Sequence, residues 1–140
     1  MVLDINITFD GFWREPNKAW ITPCAGIYCV YACTYLPEVG KVHLDGLLYI
    51  GQSENVNARI MSHEKIELWK SCLNPLQELC YSVAEVVQPH LRDVCEAALI
   101  YNAQPRCNDM LTGRYDQEAA KISLNGKLGL LSPCFQVFPS

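Results

Sequence analysis

Five side chains in this 140-residue sequence carry the chemistry needed to handle a phosphate ester: Tyr28, Tyr49, Arg59, His63 and Glu96. Hydrolysing a phosphodiester requires a deprotonated water, charge stabilisation on the phosphoryl oxygens and help for the departing oxygen. Arg59 offers an always-charged fork that matches a phosphate. Glu96 is a hard-oxygen ligand suited to Mg²⁺, which keeps most of its waters and accepts a single carboxylate. A tyrosine ionises near pH ~10, so Tyr28 can act as general base only if Arg59 or a metal favours its phenolate. Tyr49 would then position water or phosphate, and His63 could share the proton transfer. His63 is read equally well as a surface histidine on a polar helix segment. Asn108 would orient groups around the metal or close the turn after Pro105.

The elements that must position these groups begin with Gly26-Ile27-Tyr28 and Tyr49-Ile50-Gly51. Neighbouring side chains in a strand point to opposite faces, so Ile27 and Ile50 go inward while both tyrosines face out. In an antiparallel pair Tyr28 and Tyr49 share a face, and the flanking glycines let a ligand's backbone come close. Either triplet alone is also what strand propensity produces. The first strand is expected over Gly26–Leu36, with turn residues Pro37, Gly40 and Asp45-Gly46 before a strand over Leu47–Gly51. Ser53 can cap a helix running to about Cys72, on which Val56, Arg59, Ile60, His63 and Ile66 form one stripe.

Leu79–Val87 reads as a third strand. Pro89 opens a second helix whose apolar face is Leu91, Val94, Cys95, Ala98 and Leu99, and Gln104-Pro105 stops it. Glu96 borders that face, with Arg92 one turn earlier as its alternative partner. Toward the termini, residues 3–9 alternate as an edge strand. Residues 12–23, with Trp13, Arg14, Lys18 and Trp20, form a loop that either stacks on bases or is pinned to the core by its tryptophans. Lys121–Leu131 holds two short alternating runs joined by Asn125-Gly126, a type I′ hairpin signal.

Length and composition predict one soluble domain over residues 1–140: half the residues are hydrophobic and 19% are charged. No apolar run reaches membrane-span length, and no signal-peptide pattern precedes Asp10, so no membrane partner and a cytoplasmic protein are expected. The eight cysteines sit mostly in apolar segments without CxxC or Cys/His knuckle spacing, which predicts free, buried thiols over zinc ligands. A net charge of −4 confines any nucleic-acid surface to a local patch.

With these residues in view, the stretch Gly26 to Asn108 resembles the GIY-YIG nuclease superfamily. The match comprises both triplets, Ser53 and Asn55 after the second, Arg59 eight positions past Gly51, His63, Glu96 within Glu-Ala-Ala-Leu-Ile, and the closing Pro105-x-x-Asn108. The resemblance implies an α+β fold in which a central three-stranded antiparallel sheet is flanked by helices. The nuclease core would span 25–108, with accessory strand and hairpin segments at 1–24 and 109–140. It implies a DNA endonuclease using one divalent metal, Mg²⁺ or Mn²⁺, held by Glu96. Tyr28, Tyr49, Arg59, His63 and Glu96 would be catalytic, and Gly51, Ser53, Asn55, Arg59 and Asn108 would face the DNA. A homodimer or a protein partner would compensate for a small DNA surface. Twenty residues separate Tyr28 from Tyr49, more than in many members, which calls for an insertion or long strands. The rival reading is a non-catalytic nucleic-acid-binding or protein-interaction module on the same fold.

Overall fold

The computed structural model describes residues 1–140. In chain order it comprises β1 (Leu3–Arg14), a 3₁₀ helix (Glu15–Trp20), β2 (Gly26–Leu36), β3 (Lys41–Ser53), α1 (Val56–Met61), α2 (Ile66–Ser71), β4 (Glu78–Glu85), α3 (Pro89–Ala103), β5 (Ala120–Gly126) and β6 (Cys134–Val137). All six strands belong to one sheet in the order β3-β2-β4-β1-β5-β6.

This overturns the expected architecture of a three-stranded sheet flanked by helices. The antiparallel trio β3-β2-β4 exists, but it is half of a mixed six-stranded sheet that curls into a half-barrel, with 39% of residues in strands and only 24% in helices. The physical reason lies in β1. It runs on to Arg14, pairs antiparallel with β4 on one side, and pairs in parallel with β5 on the other, from Leu3 against Ala120 to Phe9 against Gly126. Segments expected to be accessory therefore complete the sheet. The separation of the two tyrosines is explained by long strands: β2 and β3 span 11 and 13 residues around a turn at 37–40.

Both faces of the sheet are covered, which sets the burial of every strand side chain. Ile27, Cys29, Tyr31, Cys33 and Ile50 point into a larger core roofed by Val94, Cys95, Ala98 and Leu99 of α3. Tyr28, Val30, Ala32, Leu48 and Tyr81 point the other way, into a smaller core closed by Val56 and Ile60 of α1 and Trp69 of α2. Three of the cysteines on apolar runs, Cys29, Cys33 and Cys95, are fully buried, while Cys134 is exposed.

Two local expectations also fail. The long helix over Ser53–Cys72 is two six-residue helices, broken at 62–65. The Ser62 hydroxyl turns back to donate to Ala58 O at 3.1 Å, and its backbone leaves the helical region, which swings His63 inward. Asn125-Gly126 does not form a two-residue hairpin, because β5 meets β6 across a longer connection, with Ser123 opposite Cys134. Gly126 instead ends β5 at φ +84°, where an added Cβ would stand 2.2 Å from Phe9 O. The parallel pairing with β1 overrides the local turn signal.

Candidate active site

Tyr28 and Tyr49 do share a face, as the period of a strand requires. Register places Tyr28 opposite Gly51 and Tyr49 opposite Val30, so the two tyrosines are diagonal neighbours. Their rings stack at 6.2 Å between centroids. They do not both face solvent: Tyr28 is fully buried, while Tyr49 is half-buried. Gly51 makes this possible, since a Cβ there would lie 2.4 Å from the Tyr28 ring and hydroxyl. The space that this glycine frees is filled by the tyrosine itself.

The break between α1 and α2 delivers His63 to the same spot. Its imidazole is fully buried, with ring centroids 5.4 Å from Tyr49 and 4.4 Å from Trp69, so four aromatic rings form one cluster. His63 Nε2 lies 2.8 Å from Tyr28 Oη, and the Lys65 backbone N–H donates to His63 Nδ1 at 3.0 Å. Burial, then the Arg59 charge, holds the His63 pKa down at about 4, so the ring is neutral at pH 7. Nδ1 is an acceptor here, so the single ring proton sits on Nε2 and is donated to the Tyr28 oxygen. The Tyr28 O–H then points at no group of the fold. The Tyr49 hydroxyl likewise makes no hydrogen bond within the protein.

Burial is the main cause that raises both tyrosine pKa values. For Tyr28 the proximity of Tyr49 and Glu96 adds to this, and Arg59 pulls the other way. Arg59 is half-buried on α1. Its fork is taken by Glu64, with Nη1 at 2.5 Å from Oε2 and Nη2 at 2.8 Å from Oε1. That bidentate pairing holds the Glu64 carboxyl down at about 2. A phosphate reaching Arg59 has to take the place of this carboxylate.

Glu96 is half-buried on α3, and burial raises its pKa. It does not pair with Arg92. Between them stands Gln52, whose Oε1 accepts from Arg92 Nε at 3.1 Å while its Nε2 donates to Asp93 Oδ1 at 2.7 Å and to Glu96 Oε1 at 3.0 Å. Arginine has donors only, so the Gln52 oxygen must face Arg92 and its amide hydrogens must face the carboxylates. Arg92 is itself buried, and its Nη1 donates to Val86 O and Val87 O. The result is two carboxylates gathered on one amide, and a hydrated Mg²⁺ held by one or two carboxylates suits such a donor set. No group of three or more His, Cys, Asp and Glu converges anywhere in the chain.

The remaining candidates spend their polar groups inside the fold. Ser53 Oγ accepts from Asn55 N, and Asn55 Oδ1 accepts from Ala58 N to cap α1, the role expected of Ser53. Asn108 pairs with the outer edge of β3 as a strand would: Ile50 N donates to its Oδ1 and its Nδ2 donates to Ile50 O, both at 3.0 Å. Arg106 N and Cys107 N extend the contact to Leu47 O and Leu48 O, so the segment after α3 covers an edge strand that would otherwise be open. Much of the loop expected over 12–23 is instead the end of β1 and the 3₁₀ helix, where Arg14 pairs with Glu78 and Lys18 with Glu15. Trp13 packs against the smaller core, whereas Trp20 is exposed.

Sequence reasoning missed Gln52, Glu64, Trp69 and Asp93. Asp93 carried a signal, since it precedes Glu96 by three on one helix and so shares its face. Gln52 and Glu64 had none, because their partners lie across the fold or across a helix break. No protein-family model, no curated protein and no solved structure matches this chain.

Proposed function

We propose that this chain is a metal-dependent endonuclease of the GIY-YIG type that hydrolyses DNA phosphodiester bonds in the cytoplasm. The observation that carries the reading is the contact of Tyr28 Oη with His63 Nε2 at 2.8 Å beside Tyr49, with Arg59 and Glu96 both near enough to bias tyrosine ionisation. His63 donates to the Tyr28 oxygen and holds it in place. Burial holds the proton on Tyr28, His63 and the Arg59 charge oppose it, and Tyr28 would serve as general base toward water once a bound metal adds its charge to theirs. Tyr49, with an unengaged hydroxyl, orients the water or a phosphoryl oxygen. Arg59 exchanges Glu64 for the substrate phosphate and stabilises its developing charge. Glu96, with Asp93 beside it, would hold the Mg²⁺ or Mn²⁺, which supplies Lewis-acid polarisation of the phosphoryl group when bound. Neutralising Glu96 also removes one of the charges that keep Tyr28 protonated.

No helix is long and apolar enough to cross a membrane. The net charge of −4 limits intrinsic DNA affinity, so a second copy or a protein partner would strengthen engagement.

One feature favours the rival, a non-catalytic nucleic-acid-binding or protein-interaction module: the Arg59 fork is already filled by Glu64. The deciding experiment incubates wild-type protein and Glu96→Gln with supercoiled, linear and branched DNA, in Mg²⁺, in Mn²⁺ and in chelator. Nicking by wild type only, and only with metal, is expected, with DNA binding retained by the variant. Binding without cleavage on every substrate and metal would favour the module instead.

A further inference from the structure

At the far end of β2 from Tyr28 lies a cavity of about 590 Å³, within the size range of small-molecule sites. Its walls come from four parts of the chain: the end of β1, Asn17 of the 3₁₀ helix, the β2–β3 hairpin, and the residue that follows β5. Arg14, Lys41 and Lys127 line it, with Phe12, Tyr35 and Val42 supplying the apolar wall, and no carboxylate lines it. In a chain of net charge −4, three cations around one hollow is a local reversal of sign.

Two of these cations are not accounted for by structure. Lys41 and Lys127 form no ion pair. Arg14 Nε is held by Glu78 at 2.8 Å and its guanidinium lies 3.6 Å over the Tyr35 ring, which leaves its terminal nitrogens without a carboxylate. The frame that brings them together is firm. Lys127 N donates to Phe9 O at 2.8 Å, immediately after the glycine that only fits against that carbonyl. Seven residues of extended strand, about 23 Å, separate Tyr35 from Tyr28, and the cavity shares no residue with the tyrosine site.

We infer that this cavity is a second binding site, for a nucleoside polyphosphate. Two unpaired lysines and Arg14 lining one hollow call for a ligand with several adjacent negative charges, and Phe12 and Val42 offer apolar surface for a base and sugar. The site stands independently of the nuclease reading.

The test is calorimetric titration of the full chain in metal-free buffer with ATP, pyrophosphate, adenosine and a 20-nucleotide single strand. ATP is expected to bind one per chain, more tightly than pyrophosphate, with adenosine far weaker. The double substitution Lys41→Gln with Lys127→Gln should weaken ATP at least tenfold with an unchanged melting temperature, because both side chains are exposed. Glu96→Gln should leave ATP binding as it is, which separates this site from the proposed catalytic one. No ATP binding, or equal binding by the double variant, overturns the inference. Pyrophosphate binding as tightly as ATP overturns the nucleoside part. Lysine-dependent binding of the single strand without ATP binding would make the cavity part of a nucleic-acid path and overturn the small-molecule assignment.

Discussion

His63 touches Tyr28 through one ring nitrogen and the backbone of Lys65 through the other, so a single buried imidazole is fixed in one tautomer. Protonation would place a hydrogen on Nδ1 facing the Lys65 N–H, and would bury a charge near Arg59.

Stability should therefore depend on pH through His63. Its pKa is about 4 in the fold, below the ordinary 6.5, so the unfolded chain takes up a proton first as pH falls. The contribution of His63 is fully present above about pH 6.5 and is lost progressively as pH drops toward 4. Melting temperature measured from pH 7.5 to 4 should fall more steeply for wild type than for His63→Gln. Parallel curves would remove His63 from the linkage.

Gly51→Ala should destabilise the chain by about 1–3 kcal/mol, the usual cost of overpacking, because the new methyl group meets the Tyr28 ring at 2.4 Å. The same substitution in a Tyr28→Leu background should cost much less, since the clashing atoms are gone. Denaturant unfolding of the four proteins in the cycle reads the coupling. Additive effects would show that the clash is relieved elsewhere.

Glu64→Gln should tighten DNA binding several-fold, because it empties the Arg59 fork of its competing carboxylate while leaving the fold intact. Both side chains are partly exposed, so little stability is at stake. Fluorescence anisotropy with a labelled duplex, in Glu96→Gln background to block cleavage, gives the affinity. Unchanged affinity would mean that Arg59 does not meet phosphate.

Asn108→Ala should cost about 1–3 kcal/mol, since it leaves the Ile50 N–H and C=O without their partners. Hydrogen exchange at the Ile50 amide should accelerate, and Tyr49, its neighbour, should lose its fixed position. Retained protection at Ile50 would show that Arg106 and Cys107 suffice to cover the edge.

What the sequence made legible was local. The span of β2, Gly26–Leu36, and the shared face of Tyr28 and Tyr49 followed from strand period and turn residues. So did α3, from Pro89 to just before Gln104. The helix break was hidden because Ile60, His63 and Ile66 keep a helical spacing straight through it, and apolar period cannot distinguish one helix from two short ones. The parallel pairing of β1 with β5 left no local mark, since its two strands are at opposite ends of the chain. Burial of Tyr28 was equally invisible: a sheet covered on both faces hides residues that a one-sided sheet would expose.

Because β1 lies between β4 and β5, it is synthesised well before either of the strands that pair with it. Leu3 finds Ala120 only after every intervening element has been synthesised, and until then the larger core lacks Ala120, Ile122 and Leu124 of β5. Pairings this distant in sequence close long loops before they are rewarded, the hallmark of slow-folding topologies. The tyrosine site on β2 and β3 therefore rests on a sheet that is completed only when β5 meets β1, the strand pair most widely separated in sequence.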